Sequence, residues 1–535
     1  MAFLYIGKYS SSPHGGQESY DCETARRFPF RFSIPCGENS SLTICSNKET
    51  TRDEFTERSG INLKQRDHQA GVQVSSDSWG ITPIFYSPGN DGSLRFSNEI
   101  SELLTRTTTF NSIDPLAVSE YFLFGSILDS KTLFRGIRNL RQGEGLEMDD
   151  QGFRFFSCSP PGIKIDHKST VNDFAADISV LIRNAVNKLL NKNPEACLML
   201  TGGIDTRLIL GCTDENLRKN RTFVTFRTPP LEDQEDDDVH IASLIARALY
   251  LNHRVEPFPY TGKTFGPWFF EDLFGKQKHQ FVAGLFGSEI LKGEFVFSMP
   301  GYVISDIFRK KLMNLPGPLI PSVNPNGEKD SALDVFLSDF IGNSGQVFDQ
   351  LHVSLEKEIS GSPHENKILA FAINTFIRSF ITANWIRSNY NLPFIMPHGT
   401  SRNNLLPFID SDLLTYLLKI PLQLFGIEPH QLYPVLYRNH FSELCRFPTN
   451  SSIGKLNPDF MKYLRLPVSP QTHRNIDFIS PYSQFMINKE SVTRYIYNTR
   501  TISTLLKSND KHIIKKIVTL ESYLQYLTNN HHIQN

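Results

Sequence analysis

The chain has 535 residues, 39% hydrophobic and 21% charged, so it can fill large cores and does not have the composition of a disordered polymer. Its 55 basic and 56 acidic residues nearly balance, which leaves no overall field to attract nucleic acid or an anionic membrane. No apolar run approaches the roughly 18–20 residues of a membrane-spanning helix, and residues 1–7 lack the basic start of a secretory signal. We therefore expect a cytoplasmic protein with no nucleic-acid or membrane partner.

The first 160 residues are rich in Gly, Ser and Pro, and their short apolar runs predict β-strands. Residues 71–74 and 81–86 are two such runs. The turn signal at 88–92 follows, and residues 94–96 can return as the second arm of a hairpin. Residues 158–162, with two prolines and a glycine, predict a linker. The sequence therefore predicts a first domain over residues 1–160.

The residue pattern changes near residue 170, where a capping-box-like helix start is followed by apolar residues at helical spacing. Residues 196–200 are all apolar, which is typical of a strand buried on both faces of a parallel sheet. A second strand is predicted at 222–226, a helix at about 236–249 and a third strand at about 253–255. This rhythm predicts a doubly wound parallel sheet in a second domain over residues 170–535. The later part is predicted to be helical, around 365–390, 410–419 and 500–528.

The seven cysteines are scattered, with no CxxC pair and no Cys/His cluster at zinc spacing. Their sparse, odd number predicts a reducing compartment and free, mostly packed thiols. A catalytic cysteine is the alternative. The residues are Cys22, Cys36, Cys45, Cys158, Cys197, Cys212 and Cys445.

Residues 201–206, Thr-Gly-Gly-Ile-Asp-Thr, lie where the buried strand gives way to a helix. Two glycines allow a tight turn that approaches a ligand closely, and a helix start offers N–H groups and partial positive charge to a phosphate. Asp205 would repel a bare phosphate, which indicates a bridging Mg²⁺. An ordinary Gly-Gly turn is the alternative, since neither a GxxxxGK[ST] nor a GxGxxG pattern is present here.

Residues 200–206 resemble the SGGxDS pyrophosphate loop of the asparagine synthetase family, with threonine in place of both serines and both hydroxyls kept. Further segments resemble family motifs in the same order along the chain. They are the D-x-x-G-x-x-P-x-x-Y … F-x-S-E hairpin (77–99), the TLF-x-GI … G segment (132–143), the SGEGSDE … GG loop (283–293) and the PFLD segment (407–410). The likeness spans about residues 70–460.

This resemblance implies a fold and a reaction. The fold would be a degenerate Ntn-hydrolase-like α+β sandwich followed by an α/β pyrophosphate-loop synthetase domain with a helical C-terminal part. ATP would bind at the loop with Mg²⁺, and a small-molecule or peptide carboxylate would attack the α-phosphorus to give an acyl-adenylate and pyrophosphate. A nitrogen nucleophile would then displace AMP and form an amide. A catalytically inactive relative that binds nucleotide or a partner is the rival interpretation, and an unrelated α/β enzyme with the same loop is another.

The resemblance also implies residue roles. Leu200 and Thr225 would contact the base, Gly284 would lie near the ribose, and Asp205 would bind Mg²⁺. The pyrophosphate would be held by Thr201, Gly202, Gly203 and Thr206.

The sequence departs from the family at three places. The glutamine-using members have a nucleophilic cysteine after the initiator Met, where this chain has Ala2, so we expect no glutaminase activity. Nitrogen would then come from ammonia, from a partner protein or from a substrate amine, as in β-lactam synthetases and lasso-peptide cyclases. Ser288 replaces the aspartate of the family's SDE loop, which leaves Glu289 as a catalytic and metal-binding candidate or as an ordinary helix-start glutamate. Lys455 matches a late family lysine near the reacting acyl phosphate, or is an ordinary solvated lysine.

Two other groups of residues are secondary candidates. The acidic run 232–238 is more typical of a solvated helix start than of a metal site, although Asp238 matches a family carboxylate close to the nucleotide. The aromatics at 268–270 fit core packing better than a substrate pocket.

Overall fold

The computed structural model describes residues 5–10, 30–35, 41–46, 62–65, most of 71–158, 162–227, 237–257, most of 281–292, most of 353–385, most of 404–449, and residues 520 and 524. Two antiparallel sheets lie before residue 158 and one parallel sheet lies after residue 196. The chain therefore combines sheets and helices in a mixed α/β fold.

The two antiparallel sheets form a sandwich. In spatial order, the first contains β2 (Phe30–Pro35), β3 (Ser41–Ser46), β1 (Tyr5–Ser10), β7 (Leu94–Ser97), β6 (Phe85–Pro88) and β8 (Arg138–Asn139). The second contains β10 (Gly152–Ser157), β9 (Glu144–Asp149), β5 (Val72–Ser75) and β4 (Asn62–Gln65). Alternate strand residues of both sheets point into one shared core, which includes Leu42, Ile44, Val72, Val74, Phe96, Leu146 and Met148.

The predicted hairpin is confirmed, because β6 and β7 pair antiparallel with Phe85 opposite Ser97. Its first strand begins at Phe85, four residues after the predicted start at residue 81. Pro83 explains the difference, since proline has no backbone N–H to donate to a sheet ladder.

The parallel sheet has five strands in the order β13 (Asn252–Pro257), β12 (Thr222–Arg227), β11 (Cys197–Met199), β14 (Phe281–Val282) and β15 (Asn404–Leu405). All four pairings are parallel, as the sequence predicted. From β11 the chain builds outward through β12 and β13, and it then returns to place β14 on the other side of β11. The order therefore reverses between β11 and β14, and this point is where open α/β sheets form ligand crevices.

In chain order, most of the described α-helices come just before, between or after the strands of this parallel sheet. Thr170 caps the long second helix with the predicted capping box, in which its side chain accepts from Asp173 N and the Asp173 carboxylate accepts from Thr170 N. Leu520 and Leu524 are the described part of the segment predicted to be helical at 500–528, and both are helical and buried. The helices are α1 (Pro115–Phe124), α2 (Val171–Lys192), α3 (Ile204–Cys212), α4 (Glu215–Lys219), α5 (Asp237–Ala248), α6 (Gly287–Leu291), α7 (Lys367–Trp385), α8 (Ser411–Leu417) and α9 (Leu432–His440).

One large apolar core is shared by the residues before and after 160. Trp79, Phe85 and Phe134 belong to the same buried cluster as Phe174 and Leu418. The indole Nε1 of Trp79 also donates to Thr415 Oγ1 of α8 over 3.4 Å. The two regions are therefore packed together, although the boundary predicted at residues 160–170 stays a prediction.

The described cysteines behave as packed thiols. Cys197, Cys212 and Cys445 are free and buried, and Cys158 is free and half-buried. Burial raises the pKa of Cys212 to about 12 and that of Cys445 to about 11, and it also raises the pKa of Cys197. These three groups are therefore protonated at neutral pH, which does not suit a nucleophile.

Within the described ranges, no helix is long and apolar enough to cross a membrane.

A buried glutamate makes stability depend on pH. Glu120 of α1 is fully buried, with Lys131 Nζ 3.0 Å from Oε1 and Leu128 N donating to Oε2 over 3.0 Å. Burial raises the pKa of Glu120 from 4.5 to about 7, despite the nearby Lys131. Between pH 4.5 and 7 the folded chain therefore binds more protons at this site than the unfolded chain, so this site lowers the free energy of unfolding as the pH rises.

We expect Glu120→Gln to flatten this dependence, because glutamine keeps the shape of the side chain but does not titrate. The wild type should lose up to about 1.4 kcal/mol per pH unit more than the variant across this window. Urea unfolding of both proteins at pH 5, 6, 7 and 8 measures the difference. Parallel pH profiles would contradict the assignment.

Candidate functional site

The candidate site lies at the switch point of the parallel sheet, beyond the carboxyl ends of β11 and β14. Strand β11 leads into residues 200–203, and β14 leads into Ala283 and Gly284. The backbone N of Ala283 also donates to Leu405 O over 3.1 Å, which continues the pairing with β15 to the crevice. The structure therefore brings together two segments that the sequence singled out 80 residues apart.

Hydroxyl groups organise the turn after β11. Thr206 Oγ1 accepts from Thr201 N over 3.2 Å and lies 3.2 Å from Thr201 Oγ1. Thr201 Oγ1 in turn accepts from Gly203 N over 3.1 Å. Helix α3 begins at Ile204, and its N-cap Gly203 makes no side-chain capping bond. The positive end of α3 therefore lies at the switch point without a capping side chain, which is an arrangement suited to an anion.

Two glycines lie very close to their neighbours. A Cβ at Gly202 would lie 2.8 Å from Asp238 Oδ1, and the Gly202 N–H donates to the same oxygen over 2.8 Å. A Cβ at Gly284 would lie 2.8 Å from the backbone N of Thr206. Gly284 is thus packed against the first turn of α3, and the ribose contact expected for it stays a prediction.

Asp205 is held by a residue far away in the chain. Tyr433 of α9 is fully buried, and its hydroxyl donates to Asp205 Oδ1 over 2.8 Å. Lys292 Nζ lies 5.1 Å from the centre of the Tyr433 ring. No local sequence pattern indicates Tyr433, because its contact with Asp205 spans 228 residues.

We expect Tyr433→Phe to impair the site moderately, because it removes this hydroxyl and leaves the ring in place. The free energy of unfolding should fall by about 1 kcal/mol. If the site binds a magnesium nucleotide, as the resemblance implies, the Mg²⁺ concentration needed for half-maximal nucleotide binding should rise several-fold. Titration of nucleotide binding with Mg²⁺ measures the second effect. Tyr416→Phe is the matched control, because Tyr416 OH donates to Asp177 outside the crevice. Equal Mg²⁺ dependence in the two variants would contradict a role for Tyr433.

The side chains expected near the base lie in the sheet itself. Leu200 and Thr225 are buried, and Thr225 Oγ1 donates to Leu200 O over 2.6 Å. The same hydroxyl is 2.8 Å from His253 Nε2, and burial lowers the pKa of His253. These contacts tie β12 to β11 and β13 beside the crevice, and contact with a base stays a prediction.

The remaining candidates are only partly within the described residues. Glu289 and Ser288 lie on the backbone of α6, but their side chains lie outside the description. The start of α6 nevertheless adjoins Asp205, since a Cβ at Gly287 would lie 3.1 Å from Asp205 Cγ. Ala2, Lys455, the acidic residues 232–236 and the aromatics at 268–270 lie outside the described residues.

The side chains of the site offer few ligands for a Mg²⁺ ion. Among the described side chains, no three His, Cys, Asp or Glu groups cluster as a ready-made metal site. Mg²⁺ commonly binds through one or two carboxylates together with water and substrate phosphates. A half-buried Asp205 at the start of α3, with α6 beside it, fits that smaller requirement.

The fold and site define a class of protein in which an antiparallel sandwich precedes a parallel α/β sheet with a Gly-Gly turn at its switch point. Residues 64–157 match the glutamine amidotransferase domain family. Asparagine synthetase (glutamine-hydrolyzing) 3 of Bacillus subtilis (strain 168) is 25% identical to the chain over 174 residues. Over these parts of its length, the chain is similar to a glutamine amidotransferase domain and to an asparagine synthetase.

The likeness to this relative covers only part of each protein. The aligned residues make up 32% of this chain and 27% of the relative. The amidotransferase match begins at residue 64, so it leaves out the N-terminal position where the family nucleophile would lie.

Proposed function

We propose that the chain is an ATP-dependent ligase that joins a carboxylate to a nitrogen nucleophile as an amide. The observation that carries this proposal is the position of the Gly202–Gly203 turn, at the start of α3 and at the switch point, with Gly284 packed against it. Such a turn places the positive end of α3 where a pyrophosphate group would lie. The proposal includes an Ntn-hydrolase-like fold for the first region and a pyrophosphate-loop fold for the region that contains the parallel sheet.

The proposed reaction has two steps. A substrate carboxylate oxygen attacks the α-phosphorus of ATP, the bond to the bridging oxygen breaks, and pyrophosphate leaves with its electron pair. A nitrogen nucleophile then attacks the acyl carbon, AMP leaves, and the nitrogen loses a proton to give the amide. The turn residues Thr201, Gly202, Gly203 and Thr206 bind and orient the phosphates. Mg²⁺, held by Asp205 and by Glu289 in this proposal, would offset charge on the phosphates.

The nitrogen source in this proposal is ammonia or an amine, on the substrate or from a partner protein, and not glutamine. Support comes from Ala2, because attack on the amide of glutamine requires a nucleophile that alanine does not supply. The carboxylate is a small molecule or a peptide side chain. Lys455 would lie near the reacting acyl phosphate, as the family likeness implies.

The test is to incubate the protein with Mg²⁺, ATP and a panel of carboxylic acids, and to separate the nucleotide products. We expect AMP and pyrophosphate in equal amounts when the correct acid and ammonium or amine are present. Formation of ADP would contradict adenylation. Nucleotide binding with no turnover for any acid would instead favour the inactive, nucleotide-binding relative.

A second arm of this test supplies glutamine labelled at its amide nitrogen. We expect no labelled amide and no glutamate release, while ammonium or an amine supports the product. Release of glutamate by the purified chain would overturn the proposed nitrogen source.

A further inference from the structure

Helix α3 contains a fully buried arginine. Arg207 is 0% exposed, and the three residues that follow it in the helix, Leu208 to Leu210, are apolar and buried. Burying a guanidinium is costly unless its N–H groups are satisfied, so its partners reveal why it is there.

Four backbone carbonyls accept hydrogen bonds from Arg207. Its Nη2 donates to Gly202 O over 3.0 Å and to Pro448 O, and its Nη1 donates to Phe447 O over 3.1 Å and to Leu444 O over 3.4 Å. Within the part of the chain that the structure describes, no carboxylate pairs with it. The guanidinium therefore joins the turn after β11 to the segment 444–448, and it adds a buried positive charge beneath that turn.

A second donor reaches the same carbonyl. Thr449 is fully buried, and its Oγ1 donates to Gly202 O over 3.2 Å. At the other end of the same peptide unit, the N–H of Gly203 is bound by Thr201 Oγ1. Because a trans peptide unit is planar, with its C=O and N–H pointing in opposite directions, these bonds fix its orientation.

This orientation matters for an anion. A carbonyl oxygen that faced the crevice would repel a phosphate, whereas here the Gly202 oxygen is bound on the side of Arg207 and Thr449. From these contacts we infer that Arg207 is a positioning residue for phosphate binding, which locks the Gly202–Gly203 peptide and the segment 444–449 into one arrangement. The inference rests on the proposed function only in taking the ligand to be a nucleotide phosphate.

The experiment compares wild type with Arg207→Lys, which keeps the charge but cannot reach four carbonyls. The matched control is Arg221→Lys. Arg221 is also buried, and its guanidinium also donates to two carbonyls, Leu190 O over 2.8 Å and Asn193 O over 3.2 Å, away from the crevice. Binding of Mg²⁺-ATP, pyrophosphate and adenosine is measured by calorimetry at a temperature where all variants are folded.

We expect Arg207→Lys to weaken binding of Mg²⁺-ATP and pyrophosphate about tenfold or more and that of adenosine less than about twofold. Arg221→Lys should leave all three affinities near those of wild type. A general structural defect would instead lower all three, so equal losses for adenosine and ATP would overturn the inference, as would unchanged ATP binding in Arg207→Lys.

A milder variant keeps the test valid if Arg207→Lys fails to fold. Thr449→Val removes only the second donor to Gly202 O, and Thr213→Val is its control, since buried Thr213 donates to Ile209 O over 2.8 Å at the other end of α3. We expect a loss of several-fold in affinity for pyrophosphate with Thr449→Val and none with Thr213→Val. Equal affinities in these two variants would overturn the positioning role.

Hydrogen exchange separates this inference from the proposed function. In Arg207→Lys, amides of residues 200–206 and 444–449 should exchange faster than in wild type and in Arg221→Lys. If the wild type binds neither ATP nor pyrophosphate, the proposed function fails and the phosphate role fails with it. Faster exchange in both segments would then support only the structural link, and unchanged exchange would refute that link too.

Discussion

Replacing Asp205 with asparagine should lower ATP-dependent turnover at least about 100-fold while leaving the fold intact. Asp205 is half-buried at the start of α3, so asparagine fits the same space, and its side-chain oxygen can still accept from Tyr433 OH. What asparagine lacks is the negative charge that a Mg²⁺ ion requires of this ligand. Turnover assays and thermal unfolding of the same preparations measure the two expectations.

Asp177→Asn is the control for this prediction, because Asp177 also accepts from a tyrosine hydroxyl, that of Tyr416, and lies outside the crevice. We expect it to keep full turnover. Full turnover in Asp205→Asn would remove the metal role from this residue, whereas a matching loss of folded protein would show that the carboxylate is structural.

Gly284→Ala should destabilise the chain and weaken nucleotide binding together. The new Cβ would lie 2.8 Å from Thr206 N and 3.0 Å from the carbonyl carbon of Asp205, and both neighbours are backbone atoms of a helix that cannot move alone. Such overpacking typically costs about 1–3 kcal/mol, so the free energy of unfolding should fall by that amount. Urea unfolding and a nucleotide titration measure the effects.

Gly203→Ala provides the comparison for stability. Gly203 has φ −73°, which any residue adopts, and among the described residues its Cβ would meet only Thr201 Oγ1, at 3.2 Å. We expect the free energy of unfolding of the Gly203→Ala variant to stay much closer to that of wild type. Similar destabilisation by the two substitutions would show that the close approach of Gly284 to α3 does not set its requirement for glycine.

The local parts of the fold were readable from the sequence. The capping box at Thr170 and Asp173 and the apolar run before Thr201 depend on neighbouring residues, and the structure confirms the helix and the strand that they predict. The parallel sheet followed because a strand without polar alternation must be buried on both faces. The strand start near residue 81 was wrong, since Pro83 delays the ladder until Phe85.

Only part of the candidate site could be predicted from the sequence. The Gly-Gly turn and Gly284 carry local signals, and the structure brings them together at the switch point. The contacts of Tyr433 with Asp205 and of Arg207 with residues 444–448 join positions more than 220 residues apart, and no local pattern encodes such pairs. A single cue was present, since Arg207 is a charged residue followed directly by three apolar helical residues, which already indicates a buried partner.

The shared core containing Trp79 and Phe85 has an evolutionary consequence. These side chains belong to the same core as Phe174 and Leu418. The amidotransferase-like region therefore covers apolar surface of the following region, whether or not it catalyses a reaction. Gene fission near residue 160 would leave both halves with bare apolar faces, and each should aggregate when expressed alone. A region that had lost its own reaction would therefore still be inherited with its neighbour, and the intact chain should melt in one cooperative calorimetric transition.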